Sequence, residues 1–209
     1  MNSEENFVNI FPITIYETHF PDFQTIKQQL IDDLEPHFET LAPGNEYWTP
    51  DGKPMIYRTL PNLQTFEKFK PVFDFVEHHA RKYWQHMNLT KRVEPYVLHS
   101  WSNKIPPGGF TPVHVHTPIP IAGALYIHAD SSMGDLEIEN PLDTIEKMMP
   151  RDNNLAPYFQ THRVKVEEGK LVLFPGWIRH YTRSNTSNET RIIMSFNIGS
   201  NVTYHGKNN

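Results

Sequence analysis

Residues 191–198, Arg-Ile-Ile-Met-Ser-Phe-Asn-Ile, alternate without a break. In an extended chain Arg191, Ile193, Ser195 and Asn197 share one side, while Ile192, Met194, Phe196 and Ile198 share the other. One side is greasy and the other carries polar groups. Such a strand packs its greasy side on a hydrophobic layer, and here that leaves Arg191, Ser195 and Asn197 facing a second sheet across a cavity. The run around residue 125 repeats the arrangement, with Tyr126 and His128 predicted on one face and Leu125 and Ile127 on the other. An interior lined by Arg, Tyr, Ser and Asn is costly unless those groups are paired, so a buried polar ligand is the economical explanation.

Working outward, short strands separated by turn residues are predicted at about 93–101, 111–117, 121–129, 134–139, 162–168, 170–175 and 190–199. Their number predicts a sandwich or jelly roll. Before residue 90 the apolar spacing is helical. Asp22 is placed to cap a helix whose stripe is Phe23, Ile26, Leu30 and Leu34, ending before Pro36. A second helix has Pro71 in its first turn and Val72, Val76, Ala80, Tyr83, Trp84 and Met87 along one side. The segment between them, rich in Pro and Gly, reads as mostly loop. The expected architecture is mainly β with a helical layer, one domain over 1–209. In it, 1–90 gives an N-terminal strand and helical support, 91–199 a jelly-roll catalytic core and 200–209 a tail.

Composition excludes several classes of function. With Lys+Arg 19 against Asp+Glu 24, the net charge of −5 offers no basic field for nucleic acid. Zero cysteines rule out disulfides and thiolate metal sites, so any metal must be held by nitrogen and oxygen. No leader pattern and no long apolar run is visible, and the expected setting is the cytoplasm, with no membrane partner.

His114-Val-His116, His180 and Arg191 follow one another on or beside predicted strands, an order that suits a metal and an anionic cosubstrate sharing one site. His-x-His alone is weak, because scattering 12 His over 209 positions yields roughly 0.7 such pairs by chance. Each residue has a plainer reading too. The histidines could be ordinary strand residues, Arg191 could pair with Glu189 or Glu139 on the surface, and Tyr126 could be a core residue with a satisfied hydroxyl. Trp101 and Trp177 are more often packing than ligand contacts.

Several motifs together carry a resemblance. They are Trp101-Ser-Asn, His114-Val-His116, Ala122-Gly-Ala-Leu-Tyr-Ile, Gly134-Asp-Leu, Gly169-Lys-Leu-Val-Leu-Phe-Pro-Gly-Trp-Ile-Arg-His180 and Arg191-Ile-Ile-Met-Ser-Phe-Asn. Over roughly residues 96–199 the chain resembles the Fe(II)/2-oxoglutarate-dependent oxygenase superfamily, closest to a group of uncharacterised oxygenases met in marine bacteria and their phages. The opening Phe11-Pro-Ile-Thr-Ile-Tyr is similar to the start of that group. The resemblance implies a double-stranded β-helix (jelly roll, cupin-like) backed by the N-terminal helices. It also implies Fe(II), with 2-oxoglutarate and molecular oxygen as cosubstrates, and hydroxylation of a substrate coupled to decarboxylation of 2-oxoglutarate to succinate. Carried over, His114 and His180 are metal ligands, and Arg191, eleven residues beyond His180, anchors the far carboxylate of 2-oxoglutarate.

Where the superfamily has Asp or Glu after the first histidine, this chain has His116. The favoured set is therefore His114, His116 and His180, with a carboxylate such as Asp135 or Glu137 as the alternative third ligand. Tyr126 and Ser195 are expected helpers for the cosubstrate, and Trp101, Asn103, Asn197, Phe174 and Trp177 are candidates for the pocket lining. Two rival functions stay open: a cupin-like metalloprotein that ignores 2-oxoglutarate, either a three-histidine dioxygenase or a metal-dependent binding module, and a structural domain with a vestigial site. The substrate, a small molecule or a peptide, is not readable. The Pro- and Met-containing segment Asn140–Thr161 suits a lid over it. A homodimer is expected on general grounds for a jelly roll of this size.

Overall fold

The computed structural model describes residues 12–39, 54–142 and 160–200. Ten strands follow in chain order: β1 (Tyr16–His19), β2 (Phe38–Glu39), β3 (Tyr57–Thr59), β4 (Tyr96–Ile105), β5 (Ile121–His128), β6 (Leu136–Glu139), β7 (Thr161–Val164), β8 (Lys170–Pro175), β9 (His180–Thr182) and β10 (Arg191–Gly199). The alternating run of 191–198 lies in β10, the middle strand of a seven-stranded antiparallel sheet ordered β1-β8-β5-β10-β4-β3-β2. A second sheet has three strands in the order β7-β6-β9. The two sheets form the double-stranded β-helix that the resemblance implies.

The greasy side of β10 meets the helices. Met194, Phe196 and Ile198 are fully buried in a cluster with Leu125 and Ile127 of β5 and with Leu30, Leu34, Phe73, Val76 and Ala80. These last come from α1 (Phe23–Leu34) and α2 (Lys70–His86), the two helices read from the sequence, with Pro71 in the first turn of α2. Phe196 meets Phe73 edge-on at 6.2 Å. Burial of each such side chain contributes about 1.5–3 kcal/mol, which clamps β10 and leaves its other face free to carry polar groups. Asp22 does not cap α1 through its side chain. It takes φ 48°, and its carbonyl accepts from the Thr25 amide at 2.9 Å and the Thr25 hydroxyl at 2.8 Å.

The other face of the large sheet looks across at the small one. Register places Ser195 opposite Trp101 and Ala124, and Asn197 opposite His99 and Ala122. Alanines on β5 beside polar residues on β10 leave room above the sheet. That room is closed by Leu136, Ile138, Val164 and Ile178 from the second layer.

Several sequence expectations need correction. Residues 111–117 make no strand, only an isolated bridge between His114 and His180, because Pro112 and Pro118 lack the N–H groups a ladder needs. The strand read at 162–168 stops at Val164, before a turn in which Gly169 takes φ +77°. Strand β9, at three residues, is too short for alternation to reveal. A register shift between Ile192 and Ile193 puts His128 opposite Ile192, so His128 does not share the face of Tyr126; it lies on the helix side. There it bonds Glu168 at 2.9 Å and Glu189 at 2.7 Å. The segment read as a lid lies, for residues 143–159, outside the described residues, as does the tail from 201. Among the described residues no helix is long and apolar enough to cross a membrane.

Candidate metal centre and anion pocket

Three histidines come together because two irregular segments are stitched to one strand end. His114 and His180 exchange backbone hydrogen bonds at 3.0 and 3.1 Å, and the His116 amide donates to Gly176 O at 2.7 Å. The ligating atoms of His114, His116 and His180 then all lie within 4.8 Å of one another. His114 Nδ1 donates to Pro112 O at 2.8 Å and His180 Nδ1 to Ile178 O at 2.9 Å. A carbonyl only accepts, so both Nδ1 atoms carry the proton and both Nε2 lone pairs are left for a metal.

The surroundings keep His116 and His180 uncharged. Burial, then the neighbouring His114, lowers His180 from 6.5 to about 3. Burial and His114 likewise lower His116 to about 4, against a hydrogen bond with Asn197 that opposes the shift. Phe174 packs edge-on against His180 at 4.6 Å, and Trp101 stacks on His116 at 5.9 Å and 24°. A stability consequence follows for metal-free protein. In the unfolded chain these imidazoles take protons below about pH 6.5, whereas the folded site refuses them until about pH 4 and 3. Between those limits the unfolded state holds more protons, so stability falls as pH falls. The melting temperature of metal-free protein is expected to drop progressively from pH 6.5 to pH 4; the His116→Gln/His180→Gln double variant should lose much of that slope.

No carboxylate joins the histidines among the described residues. Asp135 Oδ1 accepts from the Val166 amide at 3.0 Å. Glu137 is buried on the opposite face of β6, because register sets Ile138, not Glu137, across from His180. Its Oε1 accepts from Arg163 at 2.9 Å and Arg183 at 2.5 Å. Neither carboxylate belongs to the group that the three histidines form among the described residues.

Arg191 sits at 0% exposure beside this centre. Glu189 and Glu139, its possible surface partners, are taken by His128 and Arg179 instead. Its guanidinium donates from Nη1 to Gly134 O and from Nη2 to Thr182 Oγ1 at 2.9 Å, while buried Nε has no partner. Gly134 takes φ +96°, and a Cβ there would run into Arg183 O and stand 3.1 Å from Nη1, so the turn must lack a side chain. Burial lowers Arg191 to about 10, with Tyr126 and Asp135 opposing the shift, so it remains a cation at neutral pH. Tyr126 is 1% exposed, and its hydroxyl is pushed up by burial. A buried cation held by neutral acceptors, with its Nε–H unanswered, is a seat for an anion.

Thr182 links the two halves. It lies two residues beyond His180 on β9, hence on the same face, about 7 Å along the strand. Its Oγ1 already accepts from the Thr111 amide at 2.8 Å and from Arg191 at 2.9 Å. Both acceptor positions are filled, which leaves its own proton to donate. Sequence reasoning missed it, because a three-residue strand shows no alternation to read. On the other side of the centre, Asn103 Nδ2 donates to Ser195 Oγ at 3.4 Å and Asn103 Oδ1 accepts from Arg58 Nε at 2.9 Å. Trp101 Nε1 is buried without a partner. Trp177 is not part of the buried wall. It is 50% exposed on the turn between β8 and β9, where its inward neighbours are Ile178 and His180. A separate cleft of about 440 Å³ beside the end of α2, lined by Arg81, Gln85, Lys91 and Glu94 among others, shares no residue with the histidine site.

Comparison with known proteins bears on this geometry. Residues 99–197 match the sequence profile of a family described as "Putative 2OG-Fe(II) oxygenase". A search of curated proteins returns no match. Among solved structures, the chain is similar to the non-heme alpha-ketoglutarate-dependent epimerase SnoN from nogalamycin biosynthesis (TM-score 0.64, 8% identity, 90% of this chain and 79% of that one). It is similar to HygX from Streptomyces hygroscopicus with nickel and 2-oxoglutarate bound (TM-score 0.58, 13% identity, 90% and 84%). A prolyl-4-hydroxylase from Pseudomonas putida is also similar (TM-score 0.58, 13% identity, 88% and 91%). At these identities the structural likeness speaks for the fold.

Proposed function

We propose that this chain, which belongs through residues 99–197 to the Fe(II)/2-oxoglutarate-dependent oxygenase superfamily, holds iron with His114, His116 and His180 and seats 2-oxoglutarate on Arg191. It is an oxygenase that uses Fe(II), 2-oxoglutarate and O2. The observation carrying the residue assignment is the pairing of three converging imidazoles with a fully buried, incompletely satisfied guanidinium. The donor set fits the metal, since nitrogen ligands suit Fe(II) and no thiolate is available. When bound, iron and 2-oxoglutarate together supply the oxidising power for hydroxylating a substrate C–H bond as 2-oxoglutarate loses CO2 to give succinate.

The protein's own residues perform the rest. The Pro112 and Ile178 carbonyls fix the ring orientation of two ligands before metal arrives, which lowers the entropy lost on binding. Arg191 presents its fork to the distal carboxylate, with the Tyr126 hydroxyl beside it and the Thr182 proton aimed at the same place. The step of about 7 Å from His180 to Thr182 is one that a five-carbon diacid bridges. Ser195 and Asn103 continue this polar strip, while Phe174 and the Ala122–Ala124 face exclude water from the centre. Trp101 and Asn197 flank His116, on the side left for substrate, a small molecule or a peptide.

Aerobic incubation with Fe(II) and 2-oxoglutarate tests the reading. Succinate should form slowly without added substrate and require the metal, the cosubstrate and oxygen together; iron-loaded protein giving no succinate above a protein-free control would contradict it. Thr182→Val should weaken 2-oxoglutarate binding about ten- to hundredfold, the loss of one hydrogen bond to a charged group, while Thr182→Ser retains it. Titration calorimetry with Mn(II)-loaded protein reads both.

A further inference from the structure

We infer that the cleft beside the end of α2 is a second binding site, for a small molecule that carries both a carboxylate and an ammonium group on an apolar body, the chemistry of an amino acid or a short peptide. One wall is α2, with Arg81, Trp84 and Gln85, and the other is the returning segment 88–95, with Lys91 and Glu94. The turn between the walls is fixed. Asn88 takes φ 52°, the Asn88 and Leu89 amides donate to Gln85 O at 3.0 Å and Trp84 O at 3.2 Å, and Trp84 Nε1 donates to Thr90 O at 2.8 Å. Val93 packs on the helical core, and the Val97 amide, near the start of β4, donates to Glu77 Oε1 at 3.1 Å. A volume of about 440 Å³ between walls held in this way falls in the range of small-ligand sites and is formed before a ligand arrives.

Charge decides the occupant. Arg81, Gln85, Lys91 and Glu94 line one cleft, yet none of these side chains has a hydrogen bond or ion pair among the described residues. Opposite charges elsewhere on the surface do close on each other, as Lys70 does on Asp74 and Lys104 on Glu35. Here the fold holds both cations beyond ion-pair distance of the carboxylate, so the cleft presents separated charges of both signs. A ligand with both charges answers them together, its carboxylate on Arg81 and Lys91 and its ammonium on Glu94. A dianion would meet Glu94, and a simple amine would meet Arg81 and Lys91, like charges that disfavour each. Gln85, one turn from Arg81 on the same side of α2, adds a neutral donor and acceptor. Trp84, Val93 and Pro95 supply apolar lining for the body of the ligand.

The probes are L-phenylalanine and glycyl-L-phenylalanine, with L-phenylalaninamide and N-acetyl-L-phenylalanine as counterparts that each lack one charge. Saturation-transfer NMR reads their binding to the metal-free protein in chelator. At least one zwitterion should bind about tenfold more tightly than both counterparts, and which zwitterion does so separates a free amino acid from a peptide. Arg81→Gln and Glu94→Gln should each weaken that binding about tenfold and leave the melting temperature at the wild-type value, since neither side chain has a partner to lose. His180→Ala should leave it unchanged, because the cleft shares no residue with the histidine site. No binding by either zwitterion, counterparts that bind as tightly, or binding that is indifferent to Arg81→Gln and Glu94→Gln or lost with His180→Ala overturns the inference. Failure of the iron centre alone shows differently: iron and 2-oxoglutarate do not bind, while the contact that depends on Arg81 and Glu94 persists.

Discussion

Replacing His180 by alanine is expected to abolish stable iron binding and with it succinate formation. His180 is the most buried of the three imidazoles, at 4% exposure, and its ring is in contact with both of the others. Loss of a hydrogen-bond partner behind a ligand already lowers metal affinity roughly 10–100-fold, and removing the ligand itself must exceed that. The metal-free fold should survive. The bridge to His114 is made by backbone groups, and β9 remains paired with β6. Anaerobic calorimetry with Fe(II) and thermal melting in chelator separate the two effects. Iron binding undiminished by the substitution would remove His180 from the centre; collapse of the metal-free fold would make it a structural residue.

Arg191→Met has the second large effect, and its sign differs between the two observables. Removing one partner of a buried charge pair costs about 2–5 kcal/mol, so 2-oxoglutarate affinity should fall roughly 30- to 5000-fold. Stability without cosubstrate should be unchanged or higher, because a buried cation with an incomplete set of partners opposes folding and an apolar side chain of similar length does not. A structural arginine would behave in the opposite way, with the melting temperature falling and any 2-oxoglutarate binding preserved. Thermal melting with and without saturating 2-oxoglutarate reads both signs in one experiment.

How much was legible in the sequence follows from what each residue depends on. The two faces of β10 depend on strand periodicity alone, and the run 191–198 displays it without interruption. The helical stripes that cover its greasy side are equally local. His114, His116 and His180 were legible as candidates because their order and strand context reduce the chance matches that a His-x-His pair invites. The choice between His116 and a carboxylate was not. It depends on which face of β6 opposes β9, a matter of register between strands more than forty residues apart. The same holds for Arg58, whose place beside Asn103 comes from the pairing of a three-residue strand. Trp177 misled for the converse reason. An aromatic next to an inward Ile and three residues from a ligand looks like lining, but the turn reverses the chain there and leaves the indole half exposed. His128 was displaced by a single register shift, which alternation cannot foresee.

The most direct test of the central claim is an anaerobic titration of metal-free protein with Fe(II) and then 2-oxoglutarate, followed by visible absorbance, on wild type and Arg191→Met. The expected result is a charge-transfer band that needs both additions in wild type and requires far more 2-oxoglutarate in the variant. Iron bound with a spectrum indifferent to 2-oxoglutarate would contradict the account and leave a cupin-like metalloprotein in its place.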